Sequence, residues 1–491
     1  MRASLSLAGL GLGLFAASAV AHKIVSLPFS RTGGTGTASG RTTNSSVRKR
    51  GGTYSQELIN NLTVGGYYAH VSLGTPPQPV TLTVDTGSSD VWILDSRADL
   101  CQSTTKQHYY GTCLATYDPA QSSTYQLVDR GGFSIEYLDS SAANGDYIKD
   151  NFHIAGADID ALQVGLAKTS TINSGLLGIG FHTNVAARHP YRNIVDLLAD
   201  QGLIDTQAYS LYLDDLHAET GTILFGGIDN TKFIGQLKSV DILRDRYSKI
   251  YSSLTVALGS LVVSSGSKSQ SSDLLRAQEP VVLDSGTSLT YLPPAVTKRI
   301  YAEFDVVDDT DHSGLAFVKC GLLTLNKDTT LDFQFGAGDG PLVKVPIDEL
   351  VLDNVKAYIA LGLQVPADLP FNNVCTFGIQ SLPGISLLGD TFLRSAYVAY
   401  DLTHKKIALA QANLNATGTH LMEITAASGI PLVNGTAVPE TSSTGGDKND
   451  TGSSETDSPA PRTMPALQWE TAAVALATTS FCLAGAGLFA L

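Results

Sequence analysis

The chain has 491 residues, of which 43% are hydrophobic and 16% are charged, so it can bury a large core and is not a disordered protein. Its formal net charge of −14 argues against nucleic acid as a partner, because a phosphate backbone would be repelled. The 47 glycines and the many Ser, Thr, Val and Tyr residues favour short strands and turns over long charged helices. We therefore predict an all-β, or mostly β, architecture.

Residues 1–21 have the layout of a cleavable secretory signal. Arg2 precedes an apolar run from Leu5 to Ala17, and the small residues Ala19-Val20-Ala21 form a cleavage pattern. We predict cleavage after Ala21. The alternative, a buried N-terminal helix, is disfavoured because three glycines interrupt the run and nothing caps it.

Residues 22–50 are rich in Gly, Ser, Thr and Arg and contain little to bury. They end in Arg48-Lys49-Arg50, a sequence that a dibasic-cutting convertase would open. We interpret the segment as a pro-segment whose positive charge lies against an acidic cleft until it is removed. A solvated linker is the alternative interpretation.

The body of the chain contains one sequence pattern twice. Asp85-Thr86-Gly87-Ser88 follows an alternating apolar strand, and Asp284-Ser285-Gly286-Thr287 follows a second apolar run. Each copy is followed later by two leucines and a glycine, at 176–178 and at 387–389. A single Asp-x-Gly after a strand is usually an ordinary turn. Two copies in matching surroundings predict two similar lobes that each contribute one carboxylate.

The five cysteines divide into one in the C-terminal tail, Cys482, and four in the body. Cys101 and Cys113 bracket a polar loop, and Cys320 and Cys375 lie in the second half. Local pairing, 101 with 113 and 320 with 375, is the favoured one of three possible connectivities. Neither pair has the short spacing or the flanking histidines of a zinc site, so we predict no metal.

The C-terminal end resembles a stalk followed by a membrane signal. Residues 416–465 are assigned to a Ser/Thr-rich stalk, and residues 466–491 to a tail with an apolar run that starts at Ala472. A polar spacer, small residues and a terminal apolar tail are typical of glycosylphosphatidylinositol (GPI) attachment. A single-pass helix is the alternative, although no basic residue follows the run.

Five Asn-x-Ser/Thr sequons predict glycosylation in the secretory pathway. They are Asn44, Asn61, Asn415, Asn434 and Asn449. Together with the signal and the tail, they predict a protein on the outer side of the cell surface, at the plasma membrane or in the wall.

The motifs resemble the pepsin family of aspartic proteases from about residue 67 to residue 413. The segments that carry the resemblance are VDTGSSDVW at 84–92, FSIEY at 133–137, GLLGIG at 175–180, FGGID at 225–229, LDSGTSLTYLP at 283–293 and SLLGDTFLRSAYVAYD at 386–401. The dibasic site, the cysteine-bracketed insert and the tail resemble the fungal yapsin-type branch. The resemblance implies a bilobal fold with a cleft between the lobes, which we place at residues 51–226 and 227–415.

The same resemblance implies an endopeptidase, expected to be monomeric, that acts on peptides or proteins without a cofactor. Asp85 and Asp284 would activate a water that attacks the peptide carbonyl and then protonate the leaving amine. Two carboxylates held close together cannot both ionise cheaply, so they share one proton. The titration therefore belongs to the pair and not to either residue.

Six neighbours are implied to support the pair. They are Thr86, Gly87, Ser88, Ser285, Gly286 and Thr287. The hydroxyl after each aspartate would bond across between the lobes, each glycine allows close packing, and the next hydroxyl donates to the catalytic carboxylate. Ser285 stands where Thr is commoner, so we expect the same geometry with slightly looser packing.

The resemblance also assigns a flap over the substrate. Tyr137 matches the tyrosine of the flap hairpin and Trp92 matches its indole partner, with core packing as the alternative for each. Leu138 and Ser140 stand where many relatives have Gly. Asp139 is our candidate for a preference for Lys or Arg in the substrate residue before the cut bond, and a solvated hairpin carboxylate is the alternative.

Two other classes of function are alternatives to the enzyme. A bilobal binding or inhibitor protein is expected when one aspartate of the pair is missing, and here both are present. A cell-wall adhesin would explain the signal, the sequons and the tail, but it leaves the two repeated motifs without a role. We therefore predict an aspartic endopeptidase.

Overall fold

The computed structural model of the protein describes residues 66–437, with gaps at 219–220, 266–272, 326–327, 361–364 and 367–368. Upstream of these it describes three strands, β1 (Ile24–Pro28), β2 (Thr53–Tyr54) and β3 (Leu58–Asn60). The predicted secretory signal and C-terminal tail lie outside the described residues. Within the described part of the chain, no helix is long and apolar enough to cross a membrane.

The N-terminal lobe is built on an eight-stranded sheet. After β3 its strands are β4 (Tyr67–Leu73), β5 (Gln78–Asp85), β6 (Val91–Leu94), β7 (Gln126–Glu136), β8 (Ala142–Ile154), β9 (Ala157–Ser170) and β10 (Gly175–Gly178). They lie in the order β3-β4-β5-β10-β6-β9-β8-β7. Buried and half-buried residues alternate along the second half of β8, because successive side chains of a strand point to opposite faces.

The helices of this lobe are short. They are α1 (Asp99–Gln102), α2 (Thr104–Tyr110) and α3 (Ile194–Asp200), with 3₁₀ turns at Pro119–Gln121 and His182–Asn184. α3 begins at a capping box in which the Asn193 side chain accepts from the Asp196 N–H and the Asp196 side chain accepts from the Asn193 N–H.

The remaining strands form the centre of the molecule and the C-terminal lobe. The first group is β11 (Ala208–Tyr212), β12 (Thr222–Phe225), β13 (Gly227–Asp229), β14 (Phe233–Asp241), β15 (Thr255–Ser265), β16 (Glu279–Leu283), β17 (Thr290–Leu292), β18 (Val307–Asp309) and β19 (Leu315–Lys319). The second is β20 (Thr329–Phe335), β21 (Leu342–Pro346), β22 (Val351–Leu352), β23 (Val374–Phe377), β24 (Ile379–Ser381), β25 (Leu387–Leu388), β26 (Ala396–Asp401), β27 (Lys406–Ala412) and β28 (Leu421–Glu423).

The C-terminal lobe contains a seven-stranded sheet, β21-β20-β15-β16-β25-β17-β24, and a four-stranded sheet, β18-β19-β23-β22. Its helices are α4 (Pro294–Phe304), α5 (Thr310–Ser313), α6 (Leu322–Leu325), α7 (Ile347–Leu350), α8 (Val355–Ala360) and α9 (Asp390–Leu393). The arrangement of strands confirms the predicted mostly β class.

A further seven-stranded sheet joins the lobes, in the order β14-β27-β26-β11-β12-β1-β2. It combines strands from both halves of the chain with β1, which lies in the predicted pro-segment. β1 pairs antiparallel with β12 and parallel with β2. The largest buried apolar cluster contains residues of both lobes and of this central sheet, so the aspartate-bearing strands are fixed in one continuous core.

The predicted start of the stalk at residue 416 disagrees with the structure. β28 pairs with β13, and bridges join Thr436 to Ile234 and Asn434 to Gln236. Ile424 is fully buried in the apolar cluster on this side of the central sheet. Because these side chains cover apolar surface that would otherwise meet water, residues 416–437 belong to the folded body. The other domain boundaries remain predictions.

Candidate active site between the lobes

The two repeated motifs occupy equivalent places in the two lobes. Asp85 is the last residue of β5, which pairs in parallel with β10, and Asp284 directly follows β16, which pairs in parallel with β25. The leucine and glycine half of each repeat supplies this neighbouring strand, so that Gly178 lies opposite Asp85 and Leu388 lies opposite Leu283. The spacing of the repeat therefore corresponds to a parallel strand pair in each lobe.

Reciprocal hydrogen bonds tie the two motifs together across the lobes. The Thr86 hydroxyl donates to the Leu283 carbonyl at 2.8 Å and accepts from the Ser285 N–H at 2.9 Å. The Ser285 hydroxyl donates to the Val84 carbonyl at 3.0 Å and accepts from the Thr86 N–H at 3.2 Å. All of these groups are buried, so they have no access to water as an alternative partner. Ser285 stands where Thr is commoner, and its hydroxyl still forms the predicted bridge between the lobes.

Each carboxylate also accepts two hydrogen bonds from its own turn. One comes from the backbone N–H two residues on and the other from the hydroxyl three residues on. The donors are Gly87 N, at 2.8 Å, and Ser88 Oγ for Asp85, and Gly286 N, at 2.9 Å, and Thr287 Oγ1, at 2.6 Å, for Asp284. This geometry fixes both oxygens of each acid.

Gly87 brings the first motif directly against the acid of the second. A Cβ atom at this position would lie 2.6 Å from Cγ and from Oδ1 of Asp284, closer than real Cβ atoms come to other atoms. Only glycine therefore fits, because any side chain would displace the carboxylate. The two carboxyl groups are themselves within hydrogen-bonding reach of each other.

Burial and proximity change the titration of the pair. Both side chains are fully buried. Burial raises the pKa of Asp85, although the Ser88 hydroxyl and the Gly87 N–H lower it. Burial raises the pKa of Asp284 well above its usual range, and the nearby charge of Asp85 raises it further. A single proton shared by the two acids is the state that this geometry favours.

The hairpin that we predicted to act as a flap consists of β7, β8 and the turn between them. Tyr137 is buried, and its hydroxyl accepts a hydrogen bond of 2.8 Å from the Trp92 indole N–H. Both also belong to one apolar cluster, so the core packing named as the alternative is present together with this hydrogen bond. Leu138 is exposed, and Ser140 adopts a φ of 63°, the left-handed region in which a glycine would be expected.

Asp139 is used in part by its own turn. Its Oδ1 accepts a hydrogen bond of 2.9 Å from the Ser141 N–H, as the alternative interpretation expected. Its Oδ2 is buried and has no hydrogen-bond partner among the described residues. One carboxylate oxygen is thus committed to the hairpin and the other is not.

Sequence reasoning missed a buried acid behind the first motif. Asp90 accepts from the Tyr147 hydroxyl at 2.8 Å, the Tyr191 hydroxyl at 2.6 Å and the Ala186 N–H at 2.6 Å. Burial raises its pKa, and the three donors lower it. The only signal available was an aspartate directly after Ser88-Ser89 in an otherwise apolar stretch, and its partners are distant in the chain.

A second buried acid, also missed, stands behind the second motif. The Asp390 N–H donates to the Thr287 carbonyl at 2.9 Å, and Arg394, one turn later, forms a buried ion pair with Glu349. Burial raises the pKa of Asp390 to about 8, although the Arg394 charge and the Gly66 N–H lower it. Two charged residues four positions apart within an apolar segment were the available signal, but Glu349 could not be assigned as a partner from spacing.

The disulfides and two sequons lie away from the dyad. The structure joins Cys101 to Cys113 and Cys320 to Cys375, as favoured from the sequence. Asn415 and Asn434 are exposed. The remaining three sequons lie outside the described residues.

Two buried acids that share a proton, each held by an equivalent turn and bridged across two lobes, define the class of two-lobed aspartic hydrolases. The sequence model of the eukaryotic aspartyl protease family matches residues 66–412, and the chain belongs to this family. The protein is thus an aspartic endopeptidase of the pepsin type.

Named relatives are fungal, which agrees with the predicted fungal branch. The chain is 39% identical over 391 residues to the probable aspartic-type endopeptidase opsB of Aspergillus oryzae, and the alignment covers 77% of this chain and 74% of that protein. It is 33% identical over 375 residues to secreted aspartic protease 8 of Candida albicans, covering 76% and 82% of the two chains. It is 31% identical over 379 residues to barrierpepsin of Saccharomyces cerevisiae, covering 72% and 61%.

Proposed function

We propose that Asp85 and Asp284 are the catalytic dyad of this endopeptidase and cut peptide bonds through a water held between them. The observation that carries the proposal is the cross-lobe bridge of Thr86 and Ser285, which brings two buried carboxyl groups within reach of one proton. The ionised acid takes a proton from the water as it attacks the peptide carbonyl. The protonated acid then gives its proton to the leaving amine.

The test is hydrolysis of a peptide library at acidic pH by the purified protein and by two variants. We expect pepstatin-sensitive hydrolysis by the wild type and none by Asp85→Asn or by Asp284→Asn, because an amide cannot share the proton. Measurable cleavage by either variant would contradict the dyad. An inactive but folded wild type would support a binding protein or adhesin.

We further propose that the protein is secreted and matured by removal of residues 22–50. The support is the N-terminal signal pattern, the dibasic Arg48-Lys49-Arg50 and the name of a relative, a secreted protease of Candida albicans. The test is N-terminal sequencing of the secreted protein from cells with and without a dibasic convertase. Residue 51 should be the new N-terminus only when the convertase is present, and the same N-terminus without it would indicate autocatalysis.

We propose attachment to the cell surface through a GPI anchor that replaces the apolar tail at 466–491. The support is the small-residue, spacer and apolar-tail pattern, which lies outside the described residues. Phosphatidylinositol-specific phospholipase C should release the protein from intact cells. Release by detergent alone would instead indicate a single-pass helix, and retention in detergent would indicate a covalent link to the wall.

We propose that Asp139 favours Lys or Arg before the cut bond through the charge of its carboxylate. The support is its place two residues beyond Tyr137 and the fact that only one of its oxygens, Oδ1, is held by a hydrogen bond among the described residues, from the Ser141 N–H. Asp139→Asn removes the charge and keeps an oxygen for the turn. The ratio of kcat/KM for matched Lys and Leu peptides should fall about tenfold in this variant, and an unchanged ratio would leave Asp139 as a turn residue only.

The exposed Asn415 and Asn434 are proposed glycosylation sites, and the mature body is proposed to be a monomer. Peptide-N-glycosidase treatment should lower the apparent mass of the wild type by more than that of the Asn415→Gln/Asn434→Gln variant. Light scattering of the deglycosylated protein should give the mass of one chain. A dimer mass would contradict the second proposal.

A further inference from the structure

A second cleft lies on the N-terminal lobe, on the face of the flap sheet turned away from Tyr137. Asp146 of β8 and Leu166 of β9 are paired across the strands and line this cleft. Their chain neighbours Tyr147 and Ala167 pack with Tyr137 on the opposite face, because successive side chains of a strand alternate. The cleft has a volume of about 400 Å3, and none of its lining residues belongs to the two aspartate motifs.

The acids of this cleft are already paired. Asp95 accepts from the Arg97 backbone N–H at 2.8 Å and from its Nε at 3.3 Å. Asp146 accepts from the Gly131 N–H at 2.8 Å and from Lys168 Nζ at 2.5 Å. Both carboxylates are buried, at 3% and 5% exposure. Three of their four oxygens therefore accept a hydrogen bond, and both side chains are turned inward.

Each of the three bases keeps donors that make no hydrogen bond to a described residue. Arg97 uses only its Nε within the side chain, and its terminal nitrogens make no hydrogen bond to the residues described here. Arg130 is exposed and also makes none within that part of the chain. Lys168 uses one of its three ammonium donors. With 70% of the Arg97 side chain and 46% of the Lys168 side chain exposed, these donors are accessible at the rim.

The three bases are gathered against the prevailing charge of the lobe. Residues 66–200 contain fourteen acidic and only seven basic residues, yet three of the seven line this cleft. Asp118 adds a negative charge near Arg97, but its oxygens accept from the Ala120 N–H and from Gln121. Exposed donors beside buried acids favour an anion as the ligand, since two arginines and a lysine match oxyanions well.

We propose that this cleft is an exosite for an oxyanion group, a carboxylate or a phosphate, carried by a peptide chain. Arg97 and Arg130 hold the oxygens as forked donors and Lys168 adds a point charge. The cleft is also lined by the apolar Leu166 and Pro119 and by the ring of Tyr125, against which the aliphatic stem of the acidic residue can pack. A protein substrate with an acidic or phosphorylated segment would thus be held at a second point, apart from Asp85 and Asp284.

The test is calorimetric binding at low ionic strength and about pH 6, where side-chain carboxylates are ionised. The full-length secreted protein carries Asp284→Asn, so no peptide is cut and the result does not depend on catalysis. The probes are three Gly/Ser peptides of equal length that contain Glu, Gln or phosphoserine, together with inorganic phosphate. We expect binding of the Glu and phosphoserine peptides, with the stronger of the two identifying the anion, and no binding of the Gln peptide.

The Arg97→Gln/Arg130→Gln variant should bind the anionic peptides at least about tenfold more weakly, because it loses the forked donors. Its control is Arg276→Gln/Lys298→Gln, which removes the same charge from exposed positions of the other lobe and should bind within about twofold of the parent. If the first variant does not fold, the single variant Arg130→Gln replaces it, and its affinity for the anionic peptides should fall about threefold. Equal binding by both variants, binding of the Gln peptide, or binding of inorganic phosphate alone would overturn the proposal.

Discussion

The two lobes carry the same acid-bearing turn but place a different buried acid behind it. In the N-terminal lobe, Asp90 is surrounded by neutral donors, two tyrosine hydroxyls and one backbone N–H. In the C-terminal lobe, Asp390 lies beside the ion pair of Arg394 and Glu349, and its Oδ1 has no hydrogen-bond partner in the described part of the chain. The symmetry therefore ends just behind the dyad, where one lobe is supported by neutral hydrogen bonds and the other by charges.

The largest effect should come from the point where the lobes touch. Gly87→Ala places a Cβ 2.6 Å from the Asp284 carboxyl, so we expect kcat to fall by at least about a hundredfold. Gly384→Ala is the control, since its Cβ would meet no atom within 4 Å although its φ is +92°. That variant should lose about 1 kcal/mol of unfolding free energy and little activity. Equal activity of the two variants would show that the close contact at Gly87 is not required.

The cross-lobe bridge should rank next. Thr86→Val removes the hydroxyl without changing the shape and leaves the Leu283 carbonyl and the Ser285 N–H buried without a partner. We expect a loss of about 2 to 4 kcal/mol in unfolding free energy, measured by urea denaturation, and a lower kcat. Ser285→Thr keeps the hydroxyl and should lose less than about 1 kcal/mol. Similar losses in the two variants would argue that packing, and not the bridge, holds the motifs together.

The difference between the two buried acids should appear as a difference in pH dependence. Because the pKa of Asp390 is raised from 3.8 to about 8, the folded protein holds a proton that the unfolded chain releases. The resulting stability is complete below about pH 4 and is lost as the pH rises to about 8. Asp390→Asn removes this loss, so at pH 8 its unfolding free energy should exceed that of the wild type by roughly 1 to 3 kcal/mol.

Asp90→Asn is the matched variant of the other lobe. Its amide oxygen would still accept from the Ala186 N–H, and its amide nitrogen would meet the Tyr147 and Tyr191 hydroxyls, so we expect a loss of only about 1 kcal/mol. The dependence on pH should be weaker than for Asp390→Asn, because the three donors offset part of the rise that burial causes in the pKa of Asp90. Thermal unfolding of both variants between pH 4 and pH 8 makes the comparison. Parallel pH curves for the two variants would remove the distinction between the lobes.

The smallest effect is expected at the flap. Trp92→Phe removes the indole donor to the Tyr137 hydroxyl but keeps an aromatic ring in the cluster. We expect kcat/KM to fall by about threefold to tenfold, since one neutral hydrogen bond is worth about 1 kcal/mol. Steady-state kinetics on a peptide substrate would measure it, and wild-type kinetics in the variant would leave Trp92 with a packing role only.

The sequence was most informative where the functional residues lie in short motifs. Two copies of the aspartate turn indicated paired lobes, and the resemblance assigned Thr86 and Ser285 to the bridge that the structure contains. The two leucines and the glycine that follow each copy also indicated two similar lobes. That they form the strand beside each aspartate became clear only from the pairing of strands in the sheet. Long-range partners were beyond local reasoning: Glu349 is 45 positions from Arg394, and nothing in either neighbourhood specifies the other.

Composition gave an incomplete account of two segments. The polar residues after 415 suggested a stalk, but a few spaced apolar side chains, Ile424 among them, are enough to pack this segment on the central sheet. Similarly, the segment at 22–50 offered little to bury, yet Ile24–Pro28 adds a strand by backbone hydrogen bonds, which side-chain composition does not report.

The most direct test of a shared proton is the pH dependence of kcat/KM for a neutral peptide substrate. Asp85 and Asp284 should give a bell-shaped profile, because activity requires one proton on the pair and is lost when both acids are protonated or both are ionised. The chain should therefore lose activity on both sides of an acidic optimum while circular dichroism shows it folded. A rate that depends on the titration of a single group, with no fall at low pH, would contradict a mechanism in which the two carboxyl groups act as one unit.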